Sequence, residues 1–320
     1  MSAAARTPAV DTPALTVGVV GAGRVGAVLA AALAAAGHRV RAVSGASPAS
    51  RQRIAQLLPG VPFLPPAQVS AVAQLVIVSV PDDALPVLVA DLARAGAFRP
   101  GQVVAHTSGA HGLTVLAPAA AAGARTLALH PAMTFTGQSG DLDRLPGISY
   151  GVTAAGPLRP LATRIVAALG GAVEWVDEAD RPLYHAALAH GANHLVTLVN
   201  EAADRLRDAG VADPARVLAP LLRAALDNAL AGGDSALTGP VSRGDAGTVA
   251  RHLDELARTA PESLPSYLAL ARRTADRAIA AGRLSAAAAV PLLDVLAGRE
   301  TVAATHRPVT AGGQRREPVR

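Results

Sequence analysis

Three observations predict the fold class, an α/β doubly wound parallel sheet followed by an all-α C-terminal domain. Short apolar runs of strand length alternate with helical segments as far as about residue 176. A glycine motif, Gly21-Ala22-Gly23-Arg24-Val25-Gly26, follows the first of these runs and opens a helix. After Asp180 the strand signals stop and only helical periodicity remains. At roughly 150 residues per domain, a chain of 320 residues is long enough for two such units.

The elements follow in order. Residues 1–13 read as a loose, disordered leader of small residues and proline. Leu15 to Val20 is an apolar run suited to a buried parallel strand, and an Ala/Leu helix then runs to Ala36, stopped by Gly37. His38 to Val43 is a second strand, Arg51 to Leu58 a helix, Leu75 to Val80 a third strand and Asp83 to Ala95 another helix. Val103 to Ala105 and Thr126 to Leu129 are further strands. Ile148 to Thr153, a helix over Leu158 to Leu169, and Val173 to Val176 complete a dinucleotide-binding domain over 14–176. Helices are expected at Tyr184 to Ala209, Pro214 to Ala231, Ala246 to Thr259, Leu264 to Ala281 and Ser285 to Ala297, with Pro214 and Gly210 at helix ends. They form a helical substrate and dimerisation domain over 177–298. Residues 299–320 read as a disordered basic tail.

Composition removes several function classes. The 29 Lys+Arg positions are all arginine, so no Schiff-base lysine, P-loop lysine or lysine general acid is available. With no cysteine there is no disulfide scaffold, thiolate nucleophile or Cys-ligated metal. Aromatics at 2% are too sparse for stacking platforms on single-stranded nucleic acid. Arg307, Arg315, Arg316 and Arg320 against Glu317 place much of the net charge of +5 in the tail, so the charge argues against a nucleic-acid partner. No apolar run reaches the roughly 18 residues of a membrane span, and the early apolar stretch is unlike a signal peptide. A cytoplasmic location is expected.

In the glycine motif, Gly21 permits the tight turn, Gly23 lets backbone amides approach a pyrophosphate and Gly26 allows close helix–strand packing. Ala22, Arg24 and Val25 complete the loop at the helix N-terminus, whose dipole favours an anion. An NAD site usually carries a carboxylate after the second strand, about 20 residues on. Here Ser44-Gly45-Ala46-Ser47 stands there, with Arg51 and Arg53 beyond, which favours the 2′-phosphate of NADP and leaves NAD as the alternative. Val80 and Pro81, at the end of the third strand, would border the nicotinamide.

Ligands of such sheets lie at the carboxyl ends of the strands. His106-Thr107-Ser108-Gly109 and His130-Pro131 end two of them, so Ser108, Gly109 and His130 are candidate substrate residues, while His106 reads equally well as structural. On the helix from Tyr184, at 100° per residue, His185, His190, Asn193, Thr197, Asn200 and Asp204 share one face. His185, His190 and Asn193 are the candidate catalytic residues and Thr197 a substrate contact. His190 and His194, at i and i+4, invite a metal, but no glutamate intervenes and no third ligand is evident, so no metal is expected. In the loop Leu237 to Asp245, Asp245 is suited to cap the next helix and Arg243 to clamp a carboxylate.

These residues in combination resemble a family of Rossmann-like oxidoreductases, assigned by analogy, whose second domain is a catalogued domain of unknown function. The resemblance runs through Gly21, Gly23 and Gly26, His106-Thr107-Ser108-Gly109, His130-Pro131, Tyr184-His185 with Asn193, and Thr238-Gly239-Pro240 with Arg243-Gly244-Asp245, over about residues 15–270. More distantly the chain is similar to β-hydroxyacid and 6-phosphogluconate dehydrogenases, ketopantoate reductases and pyrroline-5-carboxylate reductases. That resemblance implies a 6-phosphogluconate-dehydrogenase-like helical domain and a homodimer built by it. Of the Asp-x-Ser-Thr substrate motif only Ser108 carries over. Of the Lys-x-x-Asn pair Asn193 carries over, while His190 stands in the place of the lysine.

The expectation is therefore an NAD(P)-dependent oxidoreductase, moving hydride between NADP(H) and a small carboxylate that bears a carbonyl or imine, with His185 or His190 carrying the proton. The alternative is a non-catalytic dinucleotide-binding sensor or scaffold, which the missing lysine keeps open. No nucleic-acid or membrane partner is expected.

Overall fold

The structure is a computed structural model that describes residues 14–305; the expected leader at 1–13 and the tail from residue 306 on lie outside the described residues. The chain divides into two compact units with the boundary between His194 and Leu195.

The first unit is a seven-stranded sheet in the order β2-β1-β3-β4-β5-β6-β7. Its strands are β1 (Thr16–Val20), β2 (Arg39–Ser44), β3 (Leu75–Val78), β4 (Val103–His106), β5 (Arg125–Pro131), β6 (Ser149–Ala154) and β7 (Ala172–Trp175). They are linked by α1 (Arg24–Ala35), α2 (Pro48–Leu57), α3 (Pro66–Ala71), α4 (Leu85–Arg94), α5 (Ala117–Ala121) and α6 (Arg159–Ala168). All neighbours pair in parallel except β5 and β6, which are antiparallel. The sheet is parallel-dominated, as expected, and its one antiparallel pair has a topological reason. Residues between Pro131 and Ser149 form only a short 3₁₀ turn, Ser139–Arg144, so no crossover helix carries the chain back for a parallel return.

Alternation along the strands fills two cores. Leu75 and Ile77 pack with α1 and α6 residues such as Leu29, Leu33 and Ile165. Val76 and Val78 face the other way, onto Val69, Leu85 and Val89. Both faces of the sheet are thus covered, as a parallel sheet requires. The order in which strands are added reverses between the parallel neighbours β1 and β3, and their carboxyl ends form the switch point at which open α/β sheets bind ligands. The short helices α3 and α5, each begun with an early proline, have no equivalent in the sequence expectation because so few residues carry no periodicity.

The expected helix Tyr184 to Ala209 is not continuous. Helix α7 (Arg181–Leu188) gives way to a π turn, Ala189–Asn193, before α8 (His194–Asp208). α7 and the π turn belong to the first unit. The second unit continues with α9 (Pro214–Gly232), α10 (Ala246–Thr259), α11 (Leu264–Ala280) and α12 (Ala286–Thr305). Asp213 caps α9 by accepting from the Arg216 amide at 3.2 Å, and Asp245 caps α10 through the Thr248 amide at 3.0 Å. The core of this unit comes from α10 to α12, with Val249, Leu253, Leu268 and Leu292. α12 runs past residue 298, where the disordered tail was expected to begin.

Candidate functional site

Two groups of residues gather at the carboxyl ends of the strands in the first unit. The glycine loop after β1 is one. Gly21 adopts φ +98°, and a Cβ there would lie 2.2 Å from the carbonyl oxygen of Ser79. A Cβ on Gly26 would lie 2.2 Å from the Gly21 carbonyl oxygen. Around the Cβ position of Gly23 there is nothing within 4 Å, so the backbone of the loop is open there. Gly23 also N-caps α1, with no side-chain cap and no acidic residue in the first turn. The first amides of α1 therefore keep free positive ends for an anion.

Beside this loop is a hollow of about 480 Å³, lined among others by Gly21, Ser44, Gly45, Arg51, Phe63 and Val80. The Arg51 guanidinium lies 4.9 Å from the Phe63 ring centroid, a cation–π contact that holds its charge at the wall. Ser44 is buried, and its hydroxyl and carbonyl both accept from the loop, so it braces the turn as well as lining the hollow. Arg53 donates to the Ala22 carbonyl at 3.2 Å. Arg24 and Pro81 are exposed, and Val25 and Val80 half-buried.

The second group gathers at the ends of β4 and β5. His106 is fully buried and its ring is saturated: Nε2 donates to the Gly112 carbonyl at 2.8 Å and Nδ1 accepts from the Ser108 amide at 3.2 Å. Burial holds its pKa at about 4, so it is a neutral structural histidine. The Ser108 hydroxyl accepts from the Ala110 and His111 amides, which ties it into the turn. His130 places Nδ1 3.0 Å from the Tyr184 hydroxyl, and its ring lies edge-on to that of His185 at 5.9 Å. Gly109 faces both imidazoles: a Cβ there would stand 2.6 Å from His185 Cδ2 and 3.1 Å from His130 Nε2.

Arg181 organises this cluster, and the sequence reading missed it. It is the largest fully buried side chain of the described residues. Nε donates to Thr153 at 2.8 Å, Nη1 to the carbonyl of Ser108 at 2.9 Å, and Nη2 to that of Gly151 at 2.8 Å, with longer bonds to Gly109 and Ala128. One guanidinium thus ties α7 to the loop after β4 and to strands β5 and β6. The sequence holds no signal that separates it, since Arg24 and Arg159 also open helices and stay exposed.

The structure brings Gly109, His130 and His185 together, but not the other residues of the expected polar face. The π turn shifts the helical phase, so counting at 100° per residue fails beyond Leu188. His190 is exposed and its Nδ1 lies 3.0 Å from that of His194. Asn193, Thr197 and Arg243 are exposed, each on its own element. Among the described residues no group of three or more His, Cys, Asp or Glu is arranged to hold a metal, and no helix is long and apolar enough to cross a membrane.

Comparisons with known proteins agree with this layout. Residues 1–131 match the model of a Rossmann-like domain, and residues 148–274 match the domain of unknown function DUF2520. A search of the curated proteins gives no match. Among solved structures, a proposed NADP oxidoreductase of Bacteroides fragilis is similar at 22% identity and TM-score 0.70, covering 82% of this chain and 98% of its own. An imine reductase from a Pseudomonas species is similar at 19% identity and TM-score 0.59, with 84% and 99% covered. The pyrroline carboxylate reductase of Plasmodium falciparum, solved with NADP bound, is similar at 10% identity and TM-score 0.55, with 87% and 98% covered. At these identities the likeness is one of fold. The chain carries a Rossmann-like domain followed by a DUF2520 domain.

Proposed function

We propose that the protein is an NADP(H)-dependent reductase or dehydrogenase acting on a small carboxylate with a carbonyl or imine carbon. The observation that carries this reading is the pairing, at the carboxyl ends of one sheet, of an open glycine loop at the switch point with the Gly109, His130 and His185 cluster. The cofactor fits the residues present. The empty space at Gly23 suits the pyrophosphate, and Arg51 in the wall beside Ser44 and Gly45 suits the 2′-phosphate, where a carboxylate would repel it. Bound there, the dinucleotide supplies or accepts the hydride.

The chain's own groups handle the proton. His185 is half-buried against Gly109 and His130, whereas His190 is exposed and engaged with His194, so His185 is the better proton carrier. Asn193 and Ser108, both in the first unit, remain proposed substrate contacts. The neighbouring reductases support the reaction class, and an imine reductase among them supports an imine as well as a carbonyl substrate.

A homodimer through the helical unit is part of the proposal. α8 buries none of its residues and α9 only Pro214 and Leu218, yet Leu195, Val196, Leu198, Leu221, Leu226 and Leu230 are exposed on them. Helices of this length do not hold by propensity alone, so an apolar cover is required.

The test is a screen of 2-oxo acids and cyclic imino acids by NADPH absorbance. His185→Ala is expected to cut turnover about 10²–10⁴-fold with NADPH affinity retained. Unchanged turnover would remove His185 from the mechanism.

A further inference from the structure

Two rings of the cluster have no part in the proton transfer just assigned, those of Tyr184 and His130. The Tyr184 hydroxyl lies 3.0 Å from His130 Nδ1, with the rings perpendicular at 5.6 Å. The phenol is pressed against the backbone of Gly151, where a Cβ would come within 2.5 Å of Oη. Any side chain at 151 would push the phenol off the histidine. Burial raises the phenol pKa above its ordinary value, with the Arg181 charge acting against the rise. The hydroxyl therefore keeps its proton at neutral pH. A phenol that keeps its proton, 3.0 Å from Nδ1, has that proton to give to the imidazole.

A neutral imidazole that accepts at Nδ1 carries its own proton on Nε2. The hydrogen bond of the His130 ring is made at Nδ1, which leaves Nε2 for a ligand. It faces Gly109, the residue without a side chain, and the neighbouring His185 ring.

We infer that Tyr184 fixes His130 as a neutral imidazole whose Nε2–H donates a hydrogen bond to the carbonyl oxygen or imine nitrogen of the substrate. The inference rests on the reductase reading and deepens it by separating two histidine roles. When hydride reaches the substrate carbon, the π electron pair of the double bond moves to oxygen or nitrogen. The Nε2–H stabilises the charge developing there, and His185 delivers the proton that completes the product. His130 keeps its own proton throughout.

The surroundings favour a neutral donor. Burial is the largest influence and lowers the His130 pKa to about 4; His185 and Arg181 on α7 and His106 on β4 oppose a positive charge, and Asp82 after β3 favours one. His130 accordingly stays uncharged over the range in which an ordinary histidine titrates. Tyr184 is a positioning residue, since it acts on substrate only through His130.

The experiment is nitrogen-15 NMR of the histidine rings in the full chain, wild type and Tyr184→Phe. The wild type is expected to show His130 protonated on Nε2 alone, with no titration between about pH 5 and 8. Tyr184→Phe should lose that single tautomer. A proton on Nδ1, or titration near the ordinary value, overturns the assignment. With any 2-oxo acid or cyclic imino acid found to be reduced, Tyr184→Phe should lower kcat about 10–100-fold at unchanged NADPH affinity. His130→Gln, which keeps an N–H donor, should retain more turnover than His130→Ala; equal loss overturns the donor role. A chain that binds NADPH and reduces none of these compounds sinks the reductase reading and the substrate role with it, while the tautomer is still decided by its spectrum.

Discussion

The two units bury their apolar surface in different ways. In the first, β3 and β4 are buried along their whole length, and the cores on the two faces of the sheet leave few apolar residues uncovered. In the second, α10 to α12 make a core, while α8 and α9 expose the apolar faces they present. A sheet covered by helices closes on itself. The apolar side chains left exposed on α8 and α9 are where a second copy of the chain is proposed to pack.

The sharpest way to break the comparison is to open the self-sufficient unit at its most buried point. Arg181→Met should leave the carbonyls of Ser108 and Gly151 and the Thr153 hydroxyl without their donor, at a cost of about 3–5 kcal/mol in urea unfolding. Arg181→Lys should rescue little, because an ammonium has too few donors for the same set. A loss below about 1 kcal/mol would show that the guanidinium does not hold the unit together.

The next effect is set by pH. His106 and His130 are held at about 4 in the fold and titrate at the ordinary 6.5 when unfolded. Above pH 6.5 both states are neutral and the two histidines contribute no pH dependence. As pH falls from 6.5 towards 4 the unfolded chain takes up protons that the fold refuses, so stability drops, by roughly 2–3 kcal/mol per histidine. Urea midpoints at pH 7 and pH 5 should show the fall, and His106→Gln should flatten it. An unchanged slope in that variant would mean that His106 is not held neutral.

The smallest effect on folding, and the most selective, belongs to the uncovered helices. Leu230→Arg, at a side chain 79% exposed, should leave the first unit's stability within about 0.5 kcal/mol. In light scattering it should raise the dimer dissociation constant at least about tenfold. A wild-type chain that is monomeric at high concentration would remove the second-copy explanation of α8 and α9.

Much of the fold was legible in the sequence, because its signals are local. Val17 to Val20 reads as a buried strand by composition alone, and the glycines at 21, 23 and 26 each have a steric reason that the structure repeats. Asp245 could be read as a cap from its position. The antiparallel β6 was not legible, since strand direction depends on what a connection fails to contain. The site was legible only in part. His130 and His185 stood out as histidines beside strand and helix ends, but their partner Arg181 looked like one more arginine in an arginine-rich chain. The π turn at Ala189–Asn193 was invisible because one inserted residue leaves no mark on composition, yet it moves every later side chain around the helix axis. The expected alignment of His185 with His190 and Asn193 failed for that reason.

Arg181 has one further consequence. A guanidinium bonded to peptide and hydroxyl oxygens, and to no carboxylate among the described residues, does for this fold what a structural cation does elsewhere: it gathers oxygens from separate segments around a single charge. Unlike an ion it is tethered to the backbone, so it can be neither chelated nor exchanged, and its occupancy does not depend on supply. Because it sits at the start of α7, the helix that delivers the charge also delivers Tyr184 and His185. The seating of one helix is thereby coupled to the assembly of the histidine cluster.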